Sequence, residues 1–171
     1  PANNNFGQLP LINVSENIGR GLFKFPLNAT GALVLDAGSP VRAIRLRLSR
    51  AVTDPACGAS PCPAAPGGLD VYPLRSDWDE GMGMCSTGVC WFNRAPGTPW
   101  ASPGAAGDGA DRGPIAARVA ITGVEPMLDI PLSLQAIRTP GGPAHPGPWI
   151  EGNNDALSVL LIGADGGQYT I

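Results

Sequence analysis

The chain has 171 residues and a formal net charge of −3, and Gly (24 residues) and Pro (19 residues) make up about a quarter of it. An interior proline costs a helix about 3 kcal/mol, so this composition excludes helical bundles and coiled coils. The negative net charge does not favour binding to the phosphate backbone of a nucleic acid. No apolar run approaches the ~20 residues that span a bilayer. With 43% hydrophobic and 15% charged residues, we expect one folded domain over residues 1–171 rather than disorder.

Short runs of alternating apolar and polar residues follow one another along the chain and predict β-strands. They are Leu22–Leu27, Val41–Leu48, Leu69–Leu74, Val89–Phe92, Ile115–Ile121, Met127–Leu132 and Ala156–Gly163. In Val41–Leu48 the leucines should face the core while Arg45 and Arg47 face water. Ala156–Gly163 is apolar on both faces, which is typical of a central strand, and only Leu132–Ile137 suits a helical turn. These strands and their long Pro/Gly-rich loops predict an all-β fold, an antiparallel β-sandwich of jelly-roll-like form.

Four cysteines stand in two copies of Cys-x4-Cys, Cys57/Cys62 and Cys85/Cys90. Four cysteines allow three pairings, and the local one is the simplest because each pair closes its own small loop. Two such pairs could instead hold zinc, or stay reduced. The Pro, Ala and Ser residues around them differ from a zinc knuckle, so we favour disulfides and an oxidising, extracytoplasmic location.

Several segments carry a family resemblance, and its most specific part is Trp78-Asp-Glu80 followed by Trp91-Phe-Asn93. The segments are Asn5–Gly7, Arg20–Leu27, Asp70–Glu80, Val89–Pro96, Leu128–Pro131 and Asn154–Ile162. Together they resemble the signature of DNRLRE-type domains over nearly the whole chain. The resemblance implies a secreted or surface β-sandwich, often appended to larger bacterial proteins, with relatives that are classed as carbohydrate-binding modules. It implies no catalytic site.

The motif residues allow a functional and a structural interpretation. Trp78 and Trp91 could form a platform for sugar rings, but tryptophans at such turns more often pack in the core. Glu80 could be a glycosidase acid with Asp77 or Asp79 as its partner. In a turn before a hairpin, we favour a structural carboxylate that accepts backbone N–H bonds or pairs with an arginine.

Loop residues supply the remaining candidates for binding. Trp100 and Trp149 lie in Pro-rich loops, where they either contact a glycan or protein partner or pack within the loop. Two Gly-rich loops carry oxygen ligands of the kind that calcium prefers. Their candidate ligands are Asp108, Asp111, Asn153, Asn154 and Asp155. Because Asp and Asn beside Gly are first of all turn formers, these loops also suit plain turns.

The resemblance also predicts that the first strand of the family lies before Asn5, outside this sequence. Either the sequence is trimmed to its ordered part, or the strand is absent and the sandwich has an unpaired edge, which a neighbouring subunit could fill by donating a strand. Leu9–Val14 and Gln168–Ile171 are the candidate donors. We therefore predict a non-enzymatic, extracellular or cell-surface module with a structural or adhesive role, whose partner is a surface polysaccharide or further copies of itself. A filament joined by strand donation is the first alternative, and a glycan-active enzyme that uses Glu80 is the second.

Overall fold

The computed structural model describes residues 12–16, 19–26, 42–52, 62–138 and 156–171. Within these ranges the chain forms ten short strands and one short helix. In chain order they are β1 (Asn13–Ser15), β2 (Arg20–Pro26), β3 (Ile44–Ser49), β4 (Gly67–Pro73), β5 (Asn93–Ala95), β6 (Thr98–Pro99), β7 (Ala117–Ile121), β8 (Met127–Leu132), α1 (Leu134–Arg138), β9 (Ala156–Ala164) and β10 (Gln168–Thr170). The all-β class is confirmed, and α1 overlaps the segment Leu132–Ile137 that was expected to make a helical turn and ends one residue beyond it. None of the described helical structure is long and apolar enough to cross a membrane.

The largest sheet has four antiparallel strands in the order β2-β9-β4-β7. β9 lies inside this sheet, and its apolar residues are used on both faces. Leu157, Val159 and Leu161 belong to one core cluster, whereas Leu160 and Ile162 belong to a second cluster or pack against it. The prediction of a central strand from its two-sided apolar pattern is therefore confirmed.

A separate pair, β3 and β8, has one apolar face and one polar face. Leu46 and Leu48 are buried while the arginines between and before them are exposed, as the period of two predicts. On the polar face, Arg45 donates from Nε to the Asp129 carboxylate at 2.8 Å. Asp129 lies directly across from Arg47 in the register. This face of the pair is therefore charged and exposed to solvent.

The main core cluster joins the buried face of β3 and β8 to one face of the four-stranded sheet and to α1. Its buried members include Leu46, Leu48, Leu69, Val71, Leu128, Ile130, Leu132, Ala136, Ile137, Leu157, Val159 and Leu161. Complete burial of one such aliphatic side chain contributes roughly 1.5–3 kcal/mol. This cluster is the principal source of stability among the described residues.

The two candidate donor strands pair with each other. β1 and β10 are antiparallel neighbours, and the backbones of Ile12 and Ile171 exchange two N–H···O bonds of 2.9 Å beyond them. Val14 and Tyr169 are fully buried in the main cluster. The described parts of both segments therefore have a partner within the chain, and residues 9–11 lie outside the described ranges.

The turn between β7 and β8 is closed by a carboxylate. Glu125 accepts hydrogen bonds from the backbone N–H of Thr122 at 2.7 Å, the hydroxyl of Thr122 at 2.8 Å and the N–H of Gly123 at 3.0 Å. Burial acts to raise the pKa of Glu125, but these hydrogen bonds to its ionised form outweigh burial and lower that pKa.

The second face of the four-stranded sheet is covered by the irregular segment from Leu74 to Gly113. Its buried cluster consists of Leu74, Trp78, Val89, Trp100, Ala105 and Leu160. The predicted strand Val89–Phe92 is wrong, because the N–H of Cys90 bonds to the carbonyl of Asn93 at 2.7 Å and closes a turn there. The hairpin of β5 and β6 follows that turn.

Candidate functional site

The cysteines of the described ranges are oxidised. Cys85 and Cys90 form a disulfide with their Cα atoms 5.1 Å apart. Cys62 is buried and also disulfide-bonded, while Cys57 lies outside the described residues. A zinc site needs free thiolates, so the alternative of a metal centre does not apply to Cys85 and Cys90.

The structure places Trp78 and Trp100 in the second core cluster. Each is 5% exposed, and the indole N–H of Trp100 donates to the carbonyl of Cys90 at 3.0 Å. A buried ring has no free face for a sugar, so the suggestion that Trp100 contacts a glycan is wrong, and packing within the loop describes it. Trp149 lies outside the described residues. For Trp78, the interpretation as a core residue is confirmed.

Trp91 is half-buried and carries a cation on its ring. The Arg20 guanidinium lies 4.7 Å from the ring centroid and donates to the carbonyl of Gly104. Gly104 has φ 73°, and a Cβ there would lie 2.9 Å from the Trp91 ring and 2.7 Å from the guanidinium of Arg20. Glycine is therefore required at position 104, where this loop crosses the Trp91 ring. The pKa of Arg20 is lowered, first by burial and second by the positive charge of Arg112.

The acidic residues of the family motif lie in an exposed loop. Asp77 forms an ion pair of 2.7 Å with Lys24, and its backbone carbonyl accepts a bond of 2.9 Å from Arg94. Asp79 and Glu80 are exposed. The hairpin residue Asn93 is half-buried, and its N–H approaches the sulfur of Cys90 at 3.4 Å. These contacts brace the loop against the sheet and the hairpin.

Asp111 is a structural carboxylate. It is 1% exposed and accepts three backbone N–H bonds, from Ala101 at 2.8 Å, Ser102 at 2.9 Å and Gly107 at 3.0 Å. Both of its oxygens are used by these amides. Asp111 therefore holds the 101–107 loop in place, and no oxygen of it faces an empty cation site.

The second calcium candidate of this loop, Asp108, forms an ion pair with Arg112. Among the described residues, no group of three or more His, Cys, Asp or Glu side chains could hold a metal ion. The other candidates, Asn153, Asn154 and Asp155, lie outside the described ranges. A calcium site at those three residues stays a prediction.

A different group of residues lines an open cleft of about 560 Å³ beside the second cluster. We call it the arginine cleft, and its lining residues are Tyr72, Arg75, Asp108, Gly109, Arg112, Gly113, Pro114, Ile115 and Arg118. Its volume falls within the ~300–1,000 Å³ typical of ligand sites. Strands β4 and β7 supply one wall, and the loop that ends at Gly113 supplies the other.

The sheet wall is built by a strand register that sets Asp70 directly opposite Arg118. Arg118 donates from Nε and Nη2 to the two oxygens of Asp70, each at 2.6 Å. Asp70 is 4% exposed and also accepts a bond of 3.2 Å from the Tyr72 hydroxyl. These bonds to Asp70 raise the pKa of Arg118. Burial first, and the charge of Asp70 second, raise the pKa of Tyr72.

The loop wall carries Arg112. Its guanidinium lies 4.1 Å from the centroid of the Tyr72 ring, and its Nε donates to Asp108 at 2.7 Å. An isolated bridge between Leu74 and Arg112 and a bond of 2.8 Å from the Gly113 N–H to the Pro73 carbonyl join this loop to β4. The backbone thus holds Arg112 against the aromatic ring, where a cation–π contact adds about 0.5–2 kcal/mol.

Arg75 completes the cleft at its outer rim. Its N–H bonds to the carbonyl of Asp111 at 2.8 Å, and its Nη1 donates to the carbonyl of Gly109 at 3.0 Å. Within the described ranges, the Nη groups of Arg112 and the Nη2 group of Arg75 have no hydrogen-bond acceptor. The cleft therefore offers fixed guanidinium donors beside the apolar surface of Pro114 and Ile115.

The cleft was not predicted from the sequence, although one signal for it was present. Asp70 stands inside a predicted apolar strand, where a buried charge needs a partner. The partner, Arg118, is 48 residues away, and only the pairing of β4 with β7 brings the two together. Arg112 and Asp108 are four residues apart, in a loop whose Asp residues suggest calcium ligands, so the sequence does not draw attention to Arg112.

Comparisons of the chain with protein-family models, with curated proteins and with solved structures return no match. The resemblance to DNRLRE-type domains therefore stays a prediction. The function has to be argued from the geometry of the cleft and of the two core clusters.

Proposed function

We propose that this protein is a non-enzymatic, extracellular β-sandwich module with an adhesive or structural role, and that it binds carbohydrate through the arginine cleft. The cleft is the observation that carries the proposal. It combines fixed planar side chains, which can bond to neighbouring hydroxyls of a sugar, with a small apolar surface. Binding sites for small polar ligands commonly have this composition.

A β-sandwich is supported by the main core cluster, to which two separate sheets contribute side chains. Side chains from β3 and β8 and from one face of the four-stranded sheet meet in that cluster. Two sheets that bury one face each against a common core form the two layers of such a fold. The cleft then lies between the opposite face of the four-stranded sheet and the segment that covers it.

An extracellular location is supported by the oxidised cysteines. Disulfides persist in oxidising compartments and are rare in the reducing cytosol. The Cys85–Cys90 bond lies in the segment that covers the second face of the large sheet. It closes a short loop there and so restrains that segment.

A binding role fits the chemistry of the cleft better than catalysis does. Glycosidases use two carboxyl groups that can take up and release protons at the reacting bond. The cleft is lined by one aspartate, Asp108, which is paired with Arg112. Asp70 is buried outside this lining and is held by two bonds from Arg118. A single paired carboxylate does not supply the two carboxyl groups that a glycosidase uses, so we propose no reaction.

The filament alternative has less support than the binding module. Strand donation needs a donor segment that has no partner within its own chain. The described parts of both candidate donors are paired with each other as β1 and β10. We therefore place self-assembly by strand donation second.

The test is retention of the oxidised protein on polysaccharides, with neutral and acidic examples both included. We compare the wild type with Arg112→Gln, which removes a cleft guanidinium, and with the control Arg45→Gln. Arg45 is also paired with an aspartate but lies on β3, outside the cleft. We expect retention on at least one polysaccharide, its loss in Arg112→Gln, and no change in Arg45→Gln. Failure of the wild type to bind any polysaccharide, or equal binding by Arg112→Gln, would refute the proposal.

A further inference from the structure

We propose that the arginine cleft selects an anionic group, the carboxylate or sulfate of an acidic polysaccharide, and that Asp108 is an internal competitor for that group. This inference rests on the proposed function, because it names the class of carbohydrate that the cleft takes. Asp108 then occupies the position of the ligand anion while the cleft is empty.

The charges that line the cleft favour an anion. Its lining contains three arginines and one aspartate, whereas the chain as a whole has a net charge of −3. Asp70 is fully engaged by Arg118 and the Tyr72 hydroxyl, so it does not neutralise Arg75 or Arg112. A protein with negative net charge does not attract polyanions as a whole, so binding of a polyanion would require a local cluster of positive charge such as the one in this cleft.

The pair between Asp108 and Arg112 is asymmetric in exposure. The side chain of Arg112 is 16% exposed and lies over an aromatic ring, whereas the side chain of Asp108 is 80% exposed. Arg112 is therefore held by its surroundings, while Asp108 is held mainly by the ion pair. Exposed ion pairs of this kind are weak because water and salt compete with them. An anion on a ligand can take the place of Asp108 without any movement of Arg112.

The arginine has further capacity for such a ligand. A guanidinium presents five N–H donors in a planar fork that matches carboxylate and sulfate oxygens. Only the Nε of Arg112 donates to a described residue. Arg75 lies on the same cleft with one of its donors used by Gly109. Arg75 and Arg112 line the same cleft, and their donors that bond to no described residue are the ones that we propose for the anionic group.

The competitor idea predicts opposite effects for two substitutions within one ion pair. Arg112→Gln removes the recognition group, and we expect it to weaken binding of an acidic polysaccharide by roughly 10-fold or more. Asp108→Asn removes the competing charge and keeps the shape, and we expect it to strengthen binding by about 3-fold to 10-fold. A purely structural ion pair would make both substitutions weaken binding.

The matched control for Asp108→Asn is Asp129→Asn. Asp129 is also an arginine-paired aspartate, but its partner Arg45 is exposed where Arg112 is largely buried, and Asp129 lies on β8, outside the cleft. Both substitutions change the net charge by the same amount. Any general effect of charge on polyanion binding will therefore be the same in the two variants, and only the local effect will differ. Thermal unfolding of all variants confirms that each is folded.

The experiment measures binding by calorimetry at low and moderate salt, with polygalacturonate and its fully methyl-esterified form as a pair of probes. Dextran sulfate and dextran form a second pair, which separates sulfate from carboxylate recognition. We expect the acidic member of at least one pair to bind, with affinity that falls as salt increases, and the neutral member not to bind.

The outcomes separate the two proposals. Equal binding of neutral and acidic probes, or equal gains in Asp108→Asn and Asp129→Asn, would overturn the anionic cleft and leave the carbohydrate-binding module standing. A loss of binding in Asp108→Asn would overturn the competitor role. Binding to none of the four probes or the wider panel of polysaccharides would overturn both proposals.

Discussion

Replacement of Asp111 by alanine tests the account of the covering segment most directly. The substitution leaves three partly buried backbone N–H groups without their acceptor, the buried Asp111 carboxylate. An unsatisfied buried donor costs about 1–3 kcal/mol. Some of the freed amides will reach water when the 101–107 loop relaxes, so we expect the free energy of unfolding to fall by about 3–5 kcal/mol in total.

The assay is urea unfolding under non-reducing conditions, with the midpoint and the slope compared between variants. Asp111→Asn keeps one oxygen acceptor and should fall between the wild type and alanine. The control is Asp108→Ala in the same loop, whose exposed ion pair should change stability by less than about 1 kcal/mol. If Asp111→Ala loses less than about 1 kcal/mol, the three amide bonds are not what holds this loop, and the reasoning is refuted.

Three further predictions concern other parts of the fold. The pKa of Glu125 is lower in the folded protein than its ordinary value of 4.5. The ionised Glu125 side chain therefore stabilises the fold above pH 4.5, and this stabilisation is lost as the pH falls through the lower folded pKa. Glu125→Gln should therefore flatten the pH dependence of urea unfolding below that pH, and an unchanged profile would contradict this. Gly104→Ala should destabilise by about 2–4 kcal/mol in thermal unfolding, whereas Gly97→Ala, with φ 68° and open space around it, should cost only about 1–2 kcal/mol for its left-handed backbone. Equal losses in the two glycine variants would argue against the close approach at Gly104. Replacement of Cys85 and Cys90 together by serine should lower stability by about 2 kcal/mol, as expected for a short closed loop, and a variant as stable as the wild type would show that this clip does not constrain the unfolded chain.

The strands could be predicted because each has a local pattern. The alternation in β3 predicts its buried leucines and exposed arginines, and the two-sided apolar run of β9 predicts its central place. Both follow from the period of two in a strand. The start and end of β8 match the predicted Met127–Leu132 for the same reason.

The second face of the sheet could not be predicted in this way. Val89–Phe92 has the composition of a strand, but the N–H of Val89 bonds to the carbonyl of Asp79 and the N–H of Cys90 closes a turn with Asn93, so its backbone has other partners. Trp100 has loop neighbours on both sides in the sequence, and its burial depends on contacts with residues of the sheet and of the 78–90 segment. Such contacts depend on tertiary packing, which a local pattern does not contain.

The cleft depends even more strongly on register. Asp70 and Arg118 meet because β4 and β7 pair at those two positions, and a shift of one residue would place the charges on opposite faces. Because Asp70 and Arg118 are 48 residues apart in the sequence, no local sequence pattern predicts that they pair. A buried aspartate within an apolar strand is the one feature that points toward a distant cation.

The pairing of β1 with β10 determines how the fold would carry mechanical load. Antiparallel strands that are pulled from residues 12 and 171 are loaded at the same end of the ladder. The two bonds between Ile12 and Ile171 would break first, and the remaining pairs of β1 and β10 would then open one after another. In this geometry the hydrogen bonds are loaded one after another. In a shear geometry, by contrast, all bonds of the ladder bear the load at the same time. A pull between these two residues would therefore open the β1–β10 ladder one bond at a time and would then draw Val14 and Tyr169 out of the main core cluster.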